Sequence, residues 1–267
     1  MPMELPSWAP RDVDVERPNA ARVYDYLLGG ACNFKVDRDF AEKLRDNNPE
    51  IAGAMRNNRA FLGRAVRFCV DQGIRQFLDL GSGVPTVGNV HEIAQGTAPG
   101  SRVVYVDNEP VAVAHSQLML KDNPDAEALL ADMLDVETVL ESEPVRRLID
   151  FTQPVAVIMA AVLHFVPDSA DPRGIVARYV SAMAPESFLV LSHGVTTEEE
   201  RVRKGWQLYK QSSTPAFGRT HEEIQALMAG TDLVDPGMVW TTEWRPEFNP
   251  RAHPQPAWLY AGVGRKL

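Results

Sequence analysis

An acid set just ahead of two glycines is the arrangement in this chain with the most chemistry in it. Phe77-Leu78-Asp79-Leu80-Gly81-Ser82-Gly83 reads as an apolar strand that exits into a tight turn. Without a Cβ, Gly81 and Gly83 can take positive φ and let a ligand approach the backbone closely. Asp79 bears on the charge of that ligand. A dinucleotide turn of the G-x-G-x-x-G kind offers backbone donors to a pyrophosphate, which a nearby carboxylate repels, and here its third glycine gives way to Val84-Pro85-Thr86. A ligand with positive charge near the turn suits the acid better. A second strand, Arg102-Val103-Val104-Tyr105-Val106-Asp107-Asn108, also ends in an acid, one crossover helix downstream. Asp79 and Asp107 therefore belong at the carboxyl ends of neighbouring parallel strands, where a carboxylate can accept hydrogen bonds from both hydroxyls of a ribose. Leu129-Leu130-Ala131-Asp132-Met133 brings Asp132 to the next strand end. Asp is also a favoured N-cap residue, so helix capping is the competing account of Asp107 and Asp132.

Taken together, Asp79, Gly81, Ser82, Gly83, Asp107, Asn108, Asp132 and Met133 resemble the cofactor path of a class I S-adenosylmethionine-dependent methyltransferase. The resemblance implies that the first acid faces the sulfonium and ammonium end of S-adenosylmethionine. It further implies that Asp107 holds the ribose and that Asp132 meets the adenine amino group. NAD also satisfies the ribose geometry, so a nicotinamide oxidoreductase is the alternative that Asp79 and Pro85 oppose. A non-catalytic S-adenosylmethionine-binding regulator would keep the same acids.

The fourth strand, Val155-Ala156-Val157-Ile158-Met159-Ala160-Ala161, is apolar throughout, as a strand buried on both faces should be. It ends at Ala160, at the edge of the expected cofactor pocket, and runs into Val162-Leu163-His164-Phe165-Val166-Pro167-Asp168. Imidazole titrates near neutral pH, so His164 is a candidate general base. Packing and hydrogen bonding are its other reading, because methyl transfer often needs no base.

These residues need a scaffold. Strands are expected at residues 76–80, 102–106, 127–130, 154–160, 187–192, 236–244 and 257–263, with helical segments between most of them. The loop 245–256 between the last two is Pro-rich and too short for a crossover helix, which implies an antiparallel pair. The expectation is a Rossmann-like, doubly wound α/β sheet of seven strands, mostly parallel with an antiparallel C-terminal hairpin. Residues 1–16 are expected to form an irregular arm, 17–72 a helical cap and 73–267 the α/β core, with 17–267 as a single domain. Within the cap, helices are expected after Pro18, at 37–46 and at 51–72, with Gly29-Gly30 stopping the first.

The chain has 267 residues, 45% of them apolar, enough for a sizeable core. Its 36 acidic against 27 basic side chains give a formal net charge of −9, so it has no bulk attraction for nucleic acid or an anionic membrane. Its 2 cysteines, Cys32 and Cys69, form no C-x-x-C pair and suit a reducing cytoplasm. The start lacks a charged n-region and an apolar h-region, so no export is expected, and no apolar run is long enough to span a bilayer. Cytoplasmic residence is the expectation; oligomeric state is not readable. No metal site is expected, since His91-Glu92-Ile93-Ala94-Gln95 lacks the second histidine of the zinc helix. Ser82 lacks the G-x-S-x-G elbow of a hydrolase nucleophile.

The chain also resembles one particular family. Arg17-Pro18-Asn19-Ala20-Ala21-Arg22-Val23-Tyr24-Asp25-Tyr26-Leu27-Leu28-Gly29-Gly30, followed by Asn33-Phe34 and Asp37, is similar to the start of a bacterial S-adenosyl methyltransferase family first catalogued as a domain of unknown function. Asn58-Arg59-Ala60-Phe61-Leu62, Gly81-Ser82-Gly83-Val84-Pro85-Thr86, Val162-Leu163-His164-Phe165 and Trp244-Arg245-Pro246 continue the match. The likeness implies the cofactor S-adenosylmethionine and leaves the acceptor open, a small molecule being the expectation. In related methyltransferases, helices ahead of the first strand fold over the cofactor. Tyr24, Asp25, Tyr26 and Asn33 are therefore candidates for a lid and acceptor pocket, with core packing as the alternative. Tyr209 and Arg219, within 206–219, are candidates for a second wall, where an ordinary amphipathic helix and loop would look the same. Ser192-His193-Gly194 is either a contact to the acceptor or a plain strand-end turn.

Overall fold

The computed structural model describes residue 10 and residues 13–86, 88–210, 212–247 and 258–267. The front section folds as α1 (Ala20–Leu27), α2 (Lys35–Asn47) and α3 (Ile51–Asp71). The body then alternates β1 (Gln76–Leu80), α4 (Val90–Thr97), β2 (Arg102–Asp107), α5 (Pro110–Met119) and β3 (Ala126–Leu130). It continues through α6 (Val136–Glu141), α7 (Glu143–Leu148), β4 (Ala156–Ala160), the single 3-10 turns Leu163–Phe165 and Asp168–Ala170, α8 (Pro172–Ala182) and β5 (Phe188–Gly194). The last elements are α9 (Glu200–Tyr209), α10 (His221–Ala226), β6 (Thr231–Leu233), β7 (Val239–Trp240) and β8 (Leu259–Lys266). Most of the expected arm 1–16 and of the loop 245–256 lies outside the described residues.

The strands form one twisted sheet in the order β3-β2-β1-β4-β5-β8-β6, with β7 also paired to β8. β1 to β5 are parallel, and β8 runs antiparallel to β5, β6 and β7. This is the expected doubly wound α/β architecture with an antiparallel carboxyl-terminal edge. The sixth strand departs from expectation. Residues 236–244 do not form one strand; β6 and β7 are separate short pieces on either side of a turn, so the sheet has 8 strands rather than seven. Pro236 has no N–H for a ladder and Gly237 sits at φ 86°, so the first residues of the expected strand form a turn instead.

Side-chain alternation fills both faces. Leu78 and Leu80 of β1 pack with Val104, Val106, Val157 and Met159 against the α7 and α8 side, including Leu148 and Val176. Phe77 points the other way, toward a layer with Val103, Ile158, Val190 and the α3 residues Phe61 and Val66. Trp244, from the Trp-Arg-Pro motif, is fully buried there, its ring edge-on to Phe61 and Phe68 at 5.5 and 5.8 Å.

Strand addition reverses at β1: β2 and β3 are laid down on one side, β4 and β5 on the other. The crevice outside the carboxyl ends of β1 and β4 is thus a topological switch point, where open α/β sheets bind ligands. No helix among the described residues is long and apolar enough to cross a membrane.

Candidate active site

A cavity of about 280 Å³ opens at that crevice. Asp79, Gly81, Ser82, Gly83, Asp107, Asn108, Asp132, Met133 and Ala160, which four different strand ends supply, all line it. Gly81 has φ 70°, and a Cβ there would lie 2.1 Å from Val162 Cγ2, so only glycine lets the turn lie against the exit of β4. Ala161, at that exit, itself holds a positive φ of 56°, a conformation costly for a residue with a Cβ and found mainly where a site demands it.

Asp107 ties the first two turns together. Its Oδ2 accepts the Gly83 N–H at 2.7 Å and its Oδ1 the Glu109 N–H at 2.8 Å. Burial pushes its carboxyl up, and these backbone donors pull it back. Asp132 is exposed at the mouth, where its Oδ1 accepts the Leu134 N–H at 2.9 Å. Both acids thus cap local turns and also face the cavity, and each carboxylate oxygen has a second lone pair for a ligand.

Asp79 is different. Only 4% exposed, it makes no hydrogen bond to any described residue. Burial pushes its carboxyl up to about 7; the Arg59 guanidinium pulls it down and Asp107 pushes it up. A buried carboxylate without protein donors is costly, and a cationic ligand is what would satisfy it. Arg59, on α3, lines the cavity and donates from Nη2 to Gly88 O at 2.9 Å. Sequence reasoning passed over Arg59 as a site residue, although its place beside buried Asn58, in the middle of an otherwise apolar helix face, was a signal.

The front helices form the roof. Asn19, Ala20, Ala21 and Tyr24 line the cavity from above. Arg22 holds them there: only 1% exposed, it reaches Asp37 from Nε and Glu109 from Nη1, both at 2.9 Å, and donates to the carbonyls of Asp14 and Arg17. Glu109 follows the Asp107-Asn108 strand end, so the signature arginine of the front section is bolted to the Asp107 side of the cavity. Tyr24 is half-buried; its hydroxyl donates to Met55 O and accepts from Asn58 Nδ2, both at 3.1 Å, while Asn58 Oδ1 accepts from Ser192 on β5 at 2.6 Å. Tyr24 therefore both lines the cavity and links α1, α3 and the sheet.

The opposite wall is apolar. Leu44, Ile51 and Met55 meet Phe165, Trp206 and Tyr209 across the cavity. A Cβ at Gly194 or Gly218 would strike the Trp206 ring, at 2.4 and 2.5 Å, so both glycines make room for that indole. Gly194, of the Ser192-His193-Gly194 run, also lines the cavity. His164 is buried at the junction of the two halves; its Nδ1 accepts the Gly194 N–H at 3.3 Å, and its ring lies 4.4 Å from Phe165 and 5.9 Å from Trp206.

Four residues expected at the lid and acceptor pocket, Asp25, Tyr26, Asn33 and Arg219, do not line it. The Tyr26 hydroxyl donates to Glu42 at 2.8 Å on the outer face of α1. Asn33 donates to Asp25 Oδ2 and Gly30 O, at 2.8 and 2.9 Å. That Asp25 carboxylate also packs against Gly30, where a Cβ would lie 1.9 Å from Oδ1, so Asp25, Gly30 and Asn33 shape the loop after α1 rather than a binding surface. Arg219 is buried behind His164: it donates to the Leu163 and Val166 carbonyls, pairs with Asp168 at 2.7 Å, and donates to His193 Nε2 at 2.8 Å. It fixes the turn that carries His164.

The residues fit a cationic adenosyl cofactor, chiefly because no described residue donates a hydrogen bond to Asp79 and Gly81 brings backbone to the cavity floor. A model of the S-adenosyl methyltransferase family matches residues 6–267. The chain belongs to the S-adenosyl methyltransferase family. Two crystal structures agree. A candidate methyltransferase from Thermobifida fusca YX superposes with TM-score 0.92 at 38% identity, covering 98% of this chain and 99% of that one. A DUF574 family protein from Streptomyces avermitilis MA-4680 gives TM-score 0.90 at 37% identity, covering 95% and 99%. Human N-acetylserotonin methyltransferase, solved with S-adenosylmethionine, shares the fold at TM-score 0.50 and 16% identity, covering 94% of this chain and 63% of that one. No curated protein matches the chain at a significant level. The protein is thus an S-adenosylmethionine-dependent methyltransferase, and the oxidoreductase alternative falls away.

Proposed function

We propose that this methyltransferase acts on a small, largely planar acceptor, with the cofactor and the acceptor at opposite ends of one cavity. The observation that carries this is the confinement of the acceptor end: Leu44, Ile51, Met55, Phe165, Trp206 and Tyr209 surround it, and α1 roofs it over. A slot of this kind suits a small flat molecule better than a folded protein or a nucleic acid duplex. In this reading Asp107 accepts the ribose hydroxyls, Asp132 the adenine amino group, and Asp79 with Arg59 pairs the ammonium and carboxylate of the methionine moiety. Gly81, Ser82 and Gly83 offer close backbone, Asn108 and Met133 border the adenosyl group, and Ala160 closes the pocket beside them. Tyr24, Tyr209 and His164 border the acceptor. The bound cofactor supplies an electrophilic methyl group, which a lone pair of the acceptor takes as the carbon–sulfur bond breaks and sulfur keeps its electrons. The protein's part is mainly to hold the reacting groups in line and exclude water. The test is transfer of label from methyl-labelled S-adenosylmethionine into fractionated bacterial metabolites, proteins and nucleic acids. Label in a small-molecule fraction supports the reading; label confined to macromolecules overturns it.

A further inference from the structure

We propose that His164 meets the acceptor as a neutral hydrogen-bond donor, its proton fixed on Nε2, and that the acceptor is an acidic phenol or enol that arrives already ionised. The inference rests on the cavity being the acceptor pocket of a methyltransferase.

The tautomer follows from one contact. The Gly194 backbone N–H points at His164 Nδ1, 3.3 Å away. An amide N–H can only donate, so Nδ1 must present its lone pair and the single proton of a neutral ring sits on Nε2. A second proton on Nδ1 would face the Gly194 N–H head-on. The surroundings disfavour it as well: burial, then His193 and the Arg219 guanidinium, hold His164 well below the ordinary imidazole range. His193 cannot serve as a relay, because its Nε2 already accepts from Arg219 and its Nδ1 faces its neighbour's carbonyl, Gly194 O, at 2.8 Å. Among the described residues nothing accepts the His164 Nε2–H, and His164 lines the cavity.

A ring that holds its proton on the cavity-facing nitrogen cannot remove one from the acceptor. No other base stands on this wall among the described residues: Phe165, Val202, Trp206 and Tyr209 surround the spot, burial pushes the Tyr209 phenol up, and the charged side chain lining this side is the cation Arg201. An acceptor that must lose a proton has therefore lost it to water beforehand. An oxygen anion gains from the His164 N–H and from flat aromatic walls, and a charge-assisted hydrogen bond is the strong kind. An acidic phenol or enol combines these properties.

The first test is the ring itself. In protein labelled with ¹⁵N-histidine, long-range ¹H–¹⁵N correlation spectra, assigned with His164→Gln, should show the Nε2–H tautomer and a ring still neutral where an ordinary imidazole has taken up its second proton. The Nδ1–H tautomer, or titration near the ordinary imidazole value, overturns the proposal. This readout needs no cofactor, so it stands apart from the methyltransferase reading, which fails instead if S-adenosylhomocysteine does not bind. The second test follows 4-nitrophenolate absorbance on titration with the S-adenosylhomocysteine-saturated enzyme. His164→Gln places an amide N–H where Nε2–H was and should keep affinity within about threefold, whereas His164→Asn and His164→Phe should lose about tenfold or more. A Gln variant as weak as Phe, or Asn and Phe variants that bind like wild type, overturns the donor role. Absence of binding by the wild-type enzyme removes the phenolate class.

Discussion

Replacing Asp79 with Asn should stabilise the ligand-free protein at neutral and higher pH while weakening its hold on the cofactor. The folded protein lifts this carboxyl from 3.8 to about 7, because burial removes water and no backbone donor replaces it. The unfolded chain ionises near 3.8 while the folded chain keeps its proton until about 7, so between those values rising pH favours unfolding. The slope is about 1.4 kcal/mol per pH unit, and the rise of about three units amounts to about 4 kcal/mol that levels off above pH 7. The amide of the variant does not titrate. The stability difference between variant and wild type should therefore grow in the variant's favour from about pH 4 to about pH 7 and then stay flat, as measured by urea unfolding of the ligand-free proteins. Binding reverses the preference. S-adenosylmethionine affinity of the wild type should rise as pH rises through about 7, as the carboxylate forms, and the variant should lose both this dependence and affinity. Binding of 5′-methylthioadenosine, which lacks the sulfonium and the amino-acid end, should change far less. A stability difference independent of pH would refute the raised carboxyl, and equal losses for both ligands would refute its pairing with the cationic end.

Asp107→Ala should weaken S-adenosylmethionine and 5′-methylthioadenosine alike, by at least about tenfold, since both carry the ribose and two charge-assisted hydrogen bonds are each worth about 1.5–3 kcal/mol; calorimetric titration of the folded variant checks it, and unchanged affinity would remove the ribose assignment. Arg22→Ala should cost about 3–5 kcal/mol in denaturant unfolding, because it strands Asp37 and Glu109 as buried carboxylates; a loss under about 1 kcal/mol would mean that the roof is held by something else. Cofactor binding should slow hydrogen exchange across residues 19–28, the roof of the cavity, and Tyr24→Ala should reduce cofactor affinity as well as melting temperature. A large fall in melting temperature with unaltered affinity and no exchange protection would make the front section plain scaffold.

Much of the site was legible because it is built from local rules. β1, β2 and β4 are apolar runs that stop at turn residues, and a parallel sheet puts their ends side by side, so Asp79, Asp107 and Asp132 had to converge once the strands were found. Arg59 and Asn58 stood out as polar residues on an apolar face of α3, but only the packing of α3 over the β1 turn makes Arg59 a neighbour of Asp79. Tyr26, Asn33 and Arg219 were placed by position along a chain resembling known methyltransferases, which cannot say whether Glu42, Asp25 and His193 are closer partners than a ligand. The expected strand 236–244 missed β6 and began on Pro236 and Gly237, the residues that break the ladder between β6 and β7.

The sequence by itself determined the first five strands and the last, the acidic ends, the glycine turn and the family, since each depends on residues close together along the chain. Tertiary structure alone decided which acid lacks a protein donor, which arginine locks the roof to the Asp107 side of the cavity, and which nitrogen of His164 faces a backbone donor. Those outcomes turn on contacts such as Arg22 with Glu109 and His164 with Gly194, made between segments far apart in the chain, and the hydrogen-bond geometry at each exists only once the sheet has brought them together.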